Sequence, residues 1–269
     1  MREIDLNECH NILINIASKF DEICRRHQIP YYMLGGTMLG AVRHKGFIPW
    51  DDDMDFGVER KYFPKLIQAL SEELPPPFSV RTLENCNSVF SNFIKIDDTS
   101  TEIINNGHDS FSEIGIGIDV FPLDHGRKNR LTTILFSSYI FLQLTIINFL
   151  YYEPAYRRGY KKYIALFLQK VNRISIKNRL ISLDKIILSH THEESDYLVS
   201  YYGRWRQKEM MRKSIMGNPQ LYPFENLKLT GVENAHGYLS ALYENYMQAP
   251  PAEKRERHTS LMRYKAINV

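Results

Sequence analysis

From Trp50 to Phe56 the chain reads Trp-Asp-Asp-Asp-Met-Asp-Phe, placing four carboxylates within five residues and interleaving them with large apolar side chains. A strand sends successive side chains to opposite faces, so it can bury Met54 and Phe56 on one side while presenting Asp53 and Asp55 on the other. Two carboxylates on one strand face suit a hard cation such as Mg²⁺ (or Mn²⁺), which takes oxygen ligands and leaves positions for water and substrate phosphates. Asp51 and Asp52 add charge that a cation or basic neighbours must neutralise. The plain alternative is an exposed acidic turn after Pro49. The interleaved Trp50, Met54 and Phe56 count against it, because a solvated loop has no use for them.

The surroundings of the acids extend this reading. Tyr31 to Leu34 is a short apolar run of strand type, closed by Gly35-Gly36, after which Thr37 can cap a short helix running through Arg43. The glycines would let backbone approach a ligand, and amides at a helix start suit phosphate. Arg43, His44 and Lys45 then follow as cations able to offset phosphate charge. The stretch is no Walker A loop, since Ala41-Val42 follow Gly40 where Lys-Ser/Thr belongs; Gly115-Ile116-Gly117 fails the dinucleotide fingerprint, with Val120 at the third glycine. A third acid, Asp119, sits inside the apolar run Gly117 to Phe121 and is costly to bury unless paired or metal-bound. It is a partner for Asp53 and Asp55, whereas Asp124 reads as a turn residue.

Around this segment, Asp5-Leu6-Asn7-Glu8 is a capping box, and Leu6, Cys9, Leu13, Ile16, Phe20 and Ile23 recur at helical spacing. Asp55 to Glu59 reads as a strand and Arg60 to Leu74 as a helix stopped by Pro75-Pro76-Pro77. Phe78 to Leu83, Val89 to Ile96 and Ile114 to Phe121 are further strands. The mixture predicts an α/β (α+β) sheet domain over about residues 1–125, followed by a mainly helical second half.

Residues 131–150 carry no charge, but seven Ser, Thr, Gln and Asn side chains argue for a buried or membrane-resting helix over a bilayer span. Beyond it, Arg157, Arg158, Lys161, Lys162, Lys170, Arg173, Lys177 and Arg179 flank Ile164, Leu166, Phe167, Leu168 and Val171, the pattern of an interfacial helix or of a solvated charged face. A net charge of +3 is too mild for a nucleic-acid binder. Three cysteines outside any CxxC or Cys/His cluster support neither a disulfide framework nor a zinc site. With no secretory apolar region at the N-terminus, the expected location is the cytoplasm, or the inner face of the cell membrane.

Taken together, Leu34-Gly35-Gly36-Thr37 and Gly40 through Asp55 closely resemble the signature of the LicD family. The likeness continues in Gly117 to Asp124, in Tyr238-Leu239, in Tyr243 to Met247, in Pro250-Pro251 and in Arg257-His258, spanning most of the chain. The resemblance implies a nucleotidyltransferase-like mixed sheet flanked by helices, as a single domain over 1–269. Its core would cover about 1–125, a helical insertion about 127–212 and a C-terminal family segment about 213–269.

Carried over by position, Asp53 and Asp55 would hold Mg²⁺ and Asp119 would complete the site, the three acids forming both the metal and the catalytic set. Gly35, Gly36, Thr37, Arg43, His44 and Lys45 would serve the donor phosphates, with Asp51, Asp52 and His258 as secondary candidates. Family members resemble phosphocholine transferases that use CDP-choline to decorate bacterial cell-surface glycans, with fukutin-type ribitol-phosphate transferases as distant relatives. The expected partners are therefore a CDP-linked donor and a glycan acceptor, free or lipid-linked, with no nucleic acid and with peripheral membrane contact. Two enzymatic alternatives stand beside this: nucleotidyl transfer releasing pyrophosphate, and transfer of ribitol, glycerol or ethanolamine phosphate. A noncatalytic binding module has no reason to keep three mutually repelling acids. Where many members place a Pro before the C-terminal Tyr-Leu, this chain has Glu233 to Gly237, so the acceptor end is expected to differ.

Overall fold

The computed structural model describes residues 2–86, 92–104, 114–152, 154–192, 194–251, 253, 255 and 261–265. Helix α1 (Leu6–Arg26) starts where the capping box places it, with the Asp5 carboxylate accepting from the Glu8 amide at 2.8 Å. Its apolar stripe is buried: Leu13, Ile16, Ala17 and Phe20 are sealed from solvent. The chain then forms β1 (Tyr31–Met33), α2 (Gly35–Arg43), β2 (Asp55–Glu59), α3 (Phe63–Glu73) and β3 (Phe78–Arg81). Pro75 to Pro77 stop α3 as expected, and Arg60–Tyr62 precede it as a 3₁₀ turn.

Strands β4 (Ile94–Asp98) and β6 (Gly117–His125) complete the central sheet, in the order β1-β2-β6-β4-β3. Only the β2/β6 pairing on this path is parallel. Of the sequence-based strand Val89 to Ile96, Val89 to Ser91 lie outside the described residues, and β4 runs from Ile94. Below the sheet, Phe20 of α1 meets Tyr31 and Phe56 at ring separations of 4.9 and 5.0 Å, forming an aromatic knot in the main core.

β6 runs four residues further than Phe121, and this overturns the reading of Asp124 as a turn residue. Asp124 is 1% exposed and accepts two hydrogen bonds from Arg60, each 2.9 Å long. Burying that carboxylate is possible because the guanidinium pairs with it in both positions. The extension lets β7 (Tyr197–Val199) add to the end of β6, and β8 (Met210–Arg212) add to β7.

Helices α4 (Arg130–Tyr151), α5 (Tyr160–Val171) and α6 (Ile176–His190) form the helical layer expected of the second half. By length and composition α4 could cross a membrane, with mean hydropathy of 1.7 over its best window. It buries Phe136, Ile140, Ile147 and Leu150 in a second core shared with Leu180, Leu183 and Ile187 of α6. The chain then returns to strands. The hairpin β9 (Gln220–Phe224) and β10 (Leu227–Gly231) precedes α7 (Ala235–Tyr243), and β11 (Leu261–Tyr264) pairs with β5 (Thr101–Ile104).

Candidate active site

The parallel pairing of β2 with β6 sets Asp55 directly opposite Asp119. The amide of Asp119 donates to the Met54 carbonyl at 2.9 Å, extending this register one residue before β2 begins. Asp53 therefore lies in the extended lead-in to the strand and not within it, as the sequence reading had placed it. Alternation holds nonetheless: Asp51, Asp53 and Asp55 are partly exposed, while Asp52, Met54 and Phe56 are buried. The result divides the two secondary acids. Asp51 lines the same cavity as Asp53, Asp55 and Asp119, whereas Asp52 is turned inward.

Helix α2 begins at Gly35 with Leu34 as its N-cap, so Thr37 is not the cap expected from the sequence. Thr37 is buried, and its hydroxyl accepts the Asp55 amide at 2.8 Å. It therefore holds the metal-candidate strand in place, and the helix can start earlier because Gly35 tolerates φ of +49°. The Gly35 amide donates to the Tyr238 hydroxyl at 3.0 Å. At Gly36 a side chain would meet Asp51 Oδ2 at 2.7 Å, so only glycine lets this acid approach the helix start.

Of the three basic candidates, Arg43 lines the cavity, and its guanidinium donates to the Tyr246 carbonyl and to His44 Nε2. His44 and Lys45 do not line it. Burial and the Arg43 charge lower the His44 pKa, which disfavours an imidazolium there. Lys45 adopts φ of +58° and turns the chain toward β9, its carbonyl accepting the Glu225 amide. His258 lies outside the described residues.

Two charged residues of the site escaped the sequence reading. Lys95 of β4 reaches across to Asp119, its ammonium 2.6 Å from Oδ1. Burial pulls the Lys95 pKa down, but Asp119, Asp97 and Asp53 outweigh it and raise it. A lysine set between Ile94 and Ile96 in a predicted strand was the available signal. Glu209 also faces the cavity, accepting the Trp205 amide at 3.1 Å, and burial pushes its carboxyl up to about 7. No local pattern marks Glu209; only the return of the chain after α6 brings it in.

The cavity is about 550 Å³, within the size range of small-ligand sites. Asp51, Asp53, Asp55 and Asp119 line it together with the aromatic side chains Trp50, Phe121, Trp205, Tyr243 and Tyr246, and the Trp205 and Tyr243 rings meet edge-on with centroids 5.2 Å apart. Burial raises Asp55 well above the carboxylate range, and repulsion from Asp53, Asp119, Asp51 and Glu209 adds to it. Asp119 is raised as well, by burial against the opposing pull of Lys95. Among the described residues no three His, Cys, Asp or Glu side chains already converge as a metal cage. The donor set still fits magnesium, which needs few protein ligands, and a divalent cation would relieve the uncompensated charge on Asp55.

Acids on adjacent parallel strands therefore face a cavity beside a glycine-led helix in a mixed α/β fold. Residues 28–140 match the family model described as LicD/FKTN/FKRP, nucleotidyltransferase domain. The Lipopolysaccharide cholinephosphotransferase LicD of Haemophilus influenzae is 28% identical over 273 residues, covering 96% of this chain and 97% of that one. An uncharacterized Rickettsia prowazekii protein is 51% identical over 46 residues, 17% of each chain. Terminal uridylyl transferase 4 from Trypanosoma brucei with bound GTP has 13% identity and a TM-score of 0.24, over 68% of this chain and 52% of that one. That likeness is too slight to carry an argument.

Proposed function

We propose that the chain transfers phosphocholine from CDP-choline to a hydroxyl of a cell-surface glycan or its lipid-linked precursor. One observation carries the reading: a single cavity is lined both by four aspartates and by aromatic side chains. The aspartates suit a metal-bound diphosphate, and a quaternary ammonium is attracted to aromatic faces. Trp205 and Tyr243 offer such faces, and Glu209 beside them adds a carboxyl group. The activity in the name of the Haemophilus relative, which this chain matches nearly end to end, supports the same head group.

In this reading Asp53 and Asp55 would hold Mg²⁺ or Mn²⁺, which when bound supplies charge neutralisation at the donor diphosphate. Arg43 adds a fixed positive charge at the cavity wall. Thr37 keeps the Asp55 backbone in register, and Lys95 orients Asp119 through one carboxylate oxygen. Asp119 then has its second oxygen to offer to the acceptor. The acceptor oxygen forms a bond to the phosphocholine phosphorus, the bond from that phosphorus to CMP breaks, and the hydroxyl proton passes to Asp119.

The test incubates purified protein with CDP-choline, Mg²⁺ and a glycan acceptor and follows the nucleotide released. CMP is expected, and Asp53→Asn should lower its release at least about a hundredfold, the scale of losing a key electrostatic contact. Its melting temperature should stay near that of the parent. Release of pyrophosphate from a nucleoside triphosphate, or full activity of Asp53→Asn without metal, would sink the reading.

A further inference from the structure

Helix α5 is amphipathic in an inverted sense. Tyr160, Tyr163, Ile164, Phe167 and Val171 follow the spacing of a single helical face, and that face points to solvent. Tyr160, Tyr163 and Phe167 are 71%, 73% and 64% exposed, and within α5 only Ala165 is buried. Helix α4 repeats the pattern with Leu131, Leu135, Tyr139 and Leu142 along one exposed side. Tyr139 of α4 also lines a shallow groove of about 120 Å³ together with Ile174, in the connection after α5, and Ile186 of α6. Soluble monomers rarely leave apolar surface of this extent without a partner.

The charge around these faces identifies the partner. From Pro154 to Leu183 the chain contains eight Lys and Arg residues and no Asp or Glu, within a protein whose net charge is only +3. Arg158, Lys161, Lys162, Lys170 and Arg173 are exposed on and around α5, with Lys161 and Lys170 on the two flanks of the apolar stripe. An apolar face edged by cations is the chemistry of an anionic lipid surface, in which the helix lies in the plane of the headgroups. A second copy of the chain would instead set two such basic surfaces against each other.

The outer layer is also tied to the cavity. The segment carrying Trp205 and Glu209 rests on α4, with the Arg206 guanidinium 3.8 Å from the Phe141 ring centroid and the Gln207 amide donating to Ser138 at 3.0 Å. We infer that the exposed faces of α4 and α5 dock the enzyme peripherally on a bilayer rich in anionic phospholipid. Docking there brings a wall of the cavity close to the membrane, where a lipid-linked acceptor would be met. The inference does not depend on the donor head group.

The test is co-sedimentation of the full chain with vesicles of phosphatidylcholine alone or mixed with phosphatidylglycerol. Binding is expected only to the mixed vesicles and should weaken as salt is raised. Replacing Lys161, Lys162 and Lys170 together by Gln should weaken it on the order of a hundredfold. Tyr163→Ser with Phe167→Ser should also release the protein, while CMP formation with a soluble acceptor stays at the parent level in both variants. Equal binding to both vesicle types, or unchanged binding by the variants, would overturn the inference. So would a concentration-dependent dimer, seen by sedimentation velocity, that the same substitutions abolish.

Discussion

Helices α1 and α5 are both amphipathic, yet they use their apolar faces in opposite ways. Nine residues of α1 are buried against the sheet, while α5 buries Ala165 alone and turns its aromatic stripe outward. The same 3.6-residue periodicity underlies both. Periodicity therefore identifies a face, and the surroundings decide whether that face meets a core or a second phase. The flanking charges differ in the expected direction. Around α1 both signs alternate and pair, as in Lys19 with Glu22 and Arg26 with Glu22, whereas around α5 the charges are all positive.

The contrast breaks most visibly at Phe20. Phe20→Ala removes a sealed ring from the knot with Tyr31 and Phe56 and should cost about 3 to 5 kcal/mol in chemical denaturation. A loss below about 1 kcal/mol would mean that α1 is no more embedded than α5.

Glu209, on the segment between the cavity and α4, should produce a smaller and pH-dependent effect. Its folded-state pKa of about 7 lies above the ordinary glutamate value of about 4.3. The native state thus holds this proton more tightly, a contribution fully present below the unfolded value and lost as pH rises through about 7. Glu209→Gln should melt higher than the parent at about pH 8, with the gap closing below about pH 4.3. A gap independent of pH would assign the effect to packing.

The smallest effect belongs to the outer face. Phe167→Ser should leave stability in solution within about 0.5 kcal/mol of the parent, since its ring is already in water. A larger loss in the absence of lipid would show that α5 packs against protein.

Much of the catalytic side was legible before the fold was known. The alternation from Asp51 to Phe56 encodes two faces, and the structure sorts these residues in that alternation, even though β2 itself begins only at Asp55. Thr37 was legible as a residue with a local task, but its partner was not. A hydroxyl after two glycines reads as a cap, whereas here it accepts the amide of a strand residue eighteen positions on. Asp124 failed for a similar reason: an acid at the end of an apolar run resembles a turn until Arg60 is found beside it. Lys95 was visible as a cation in a strand, without any indication of which carboxylate it would meet.

By itself the sequence determined the acidic segment, the glycine-led helix, the mixed α/β class and the likeness to LicD proteins, because each is carried by short-range spacing and residue type. Tertiary structure alone decided that Asp55 stands opposite Asp119, that Thr37 supports the strand, that Glu209 and Trp205 close the cavity, and that α5 faces outward. The reason is physical. Strand register and the surroundings of a helix face depend on contacts between segments far apart in the chain, and local periodicity carries no information about which segments those are.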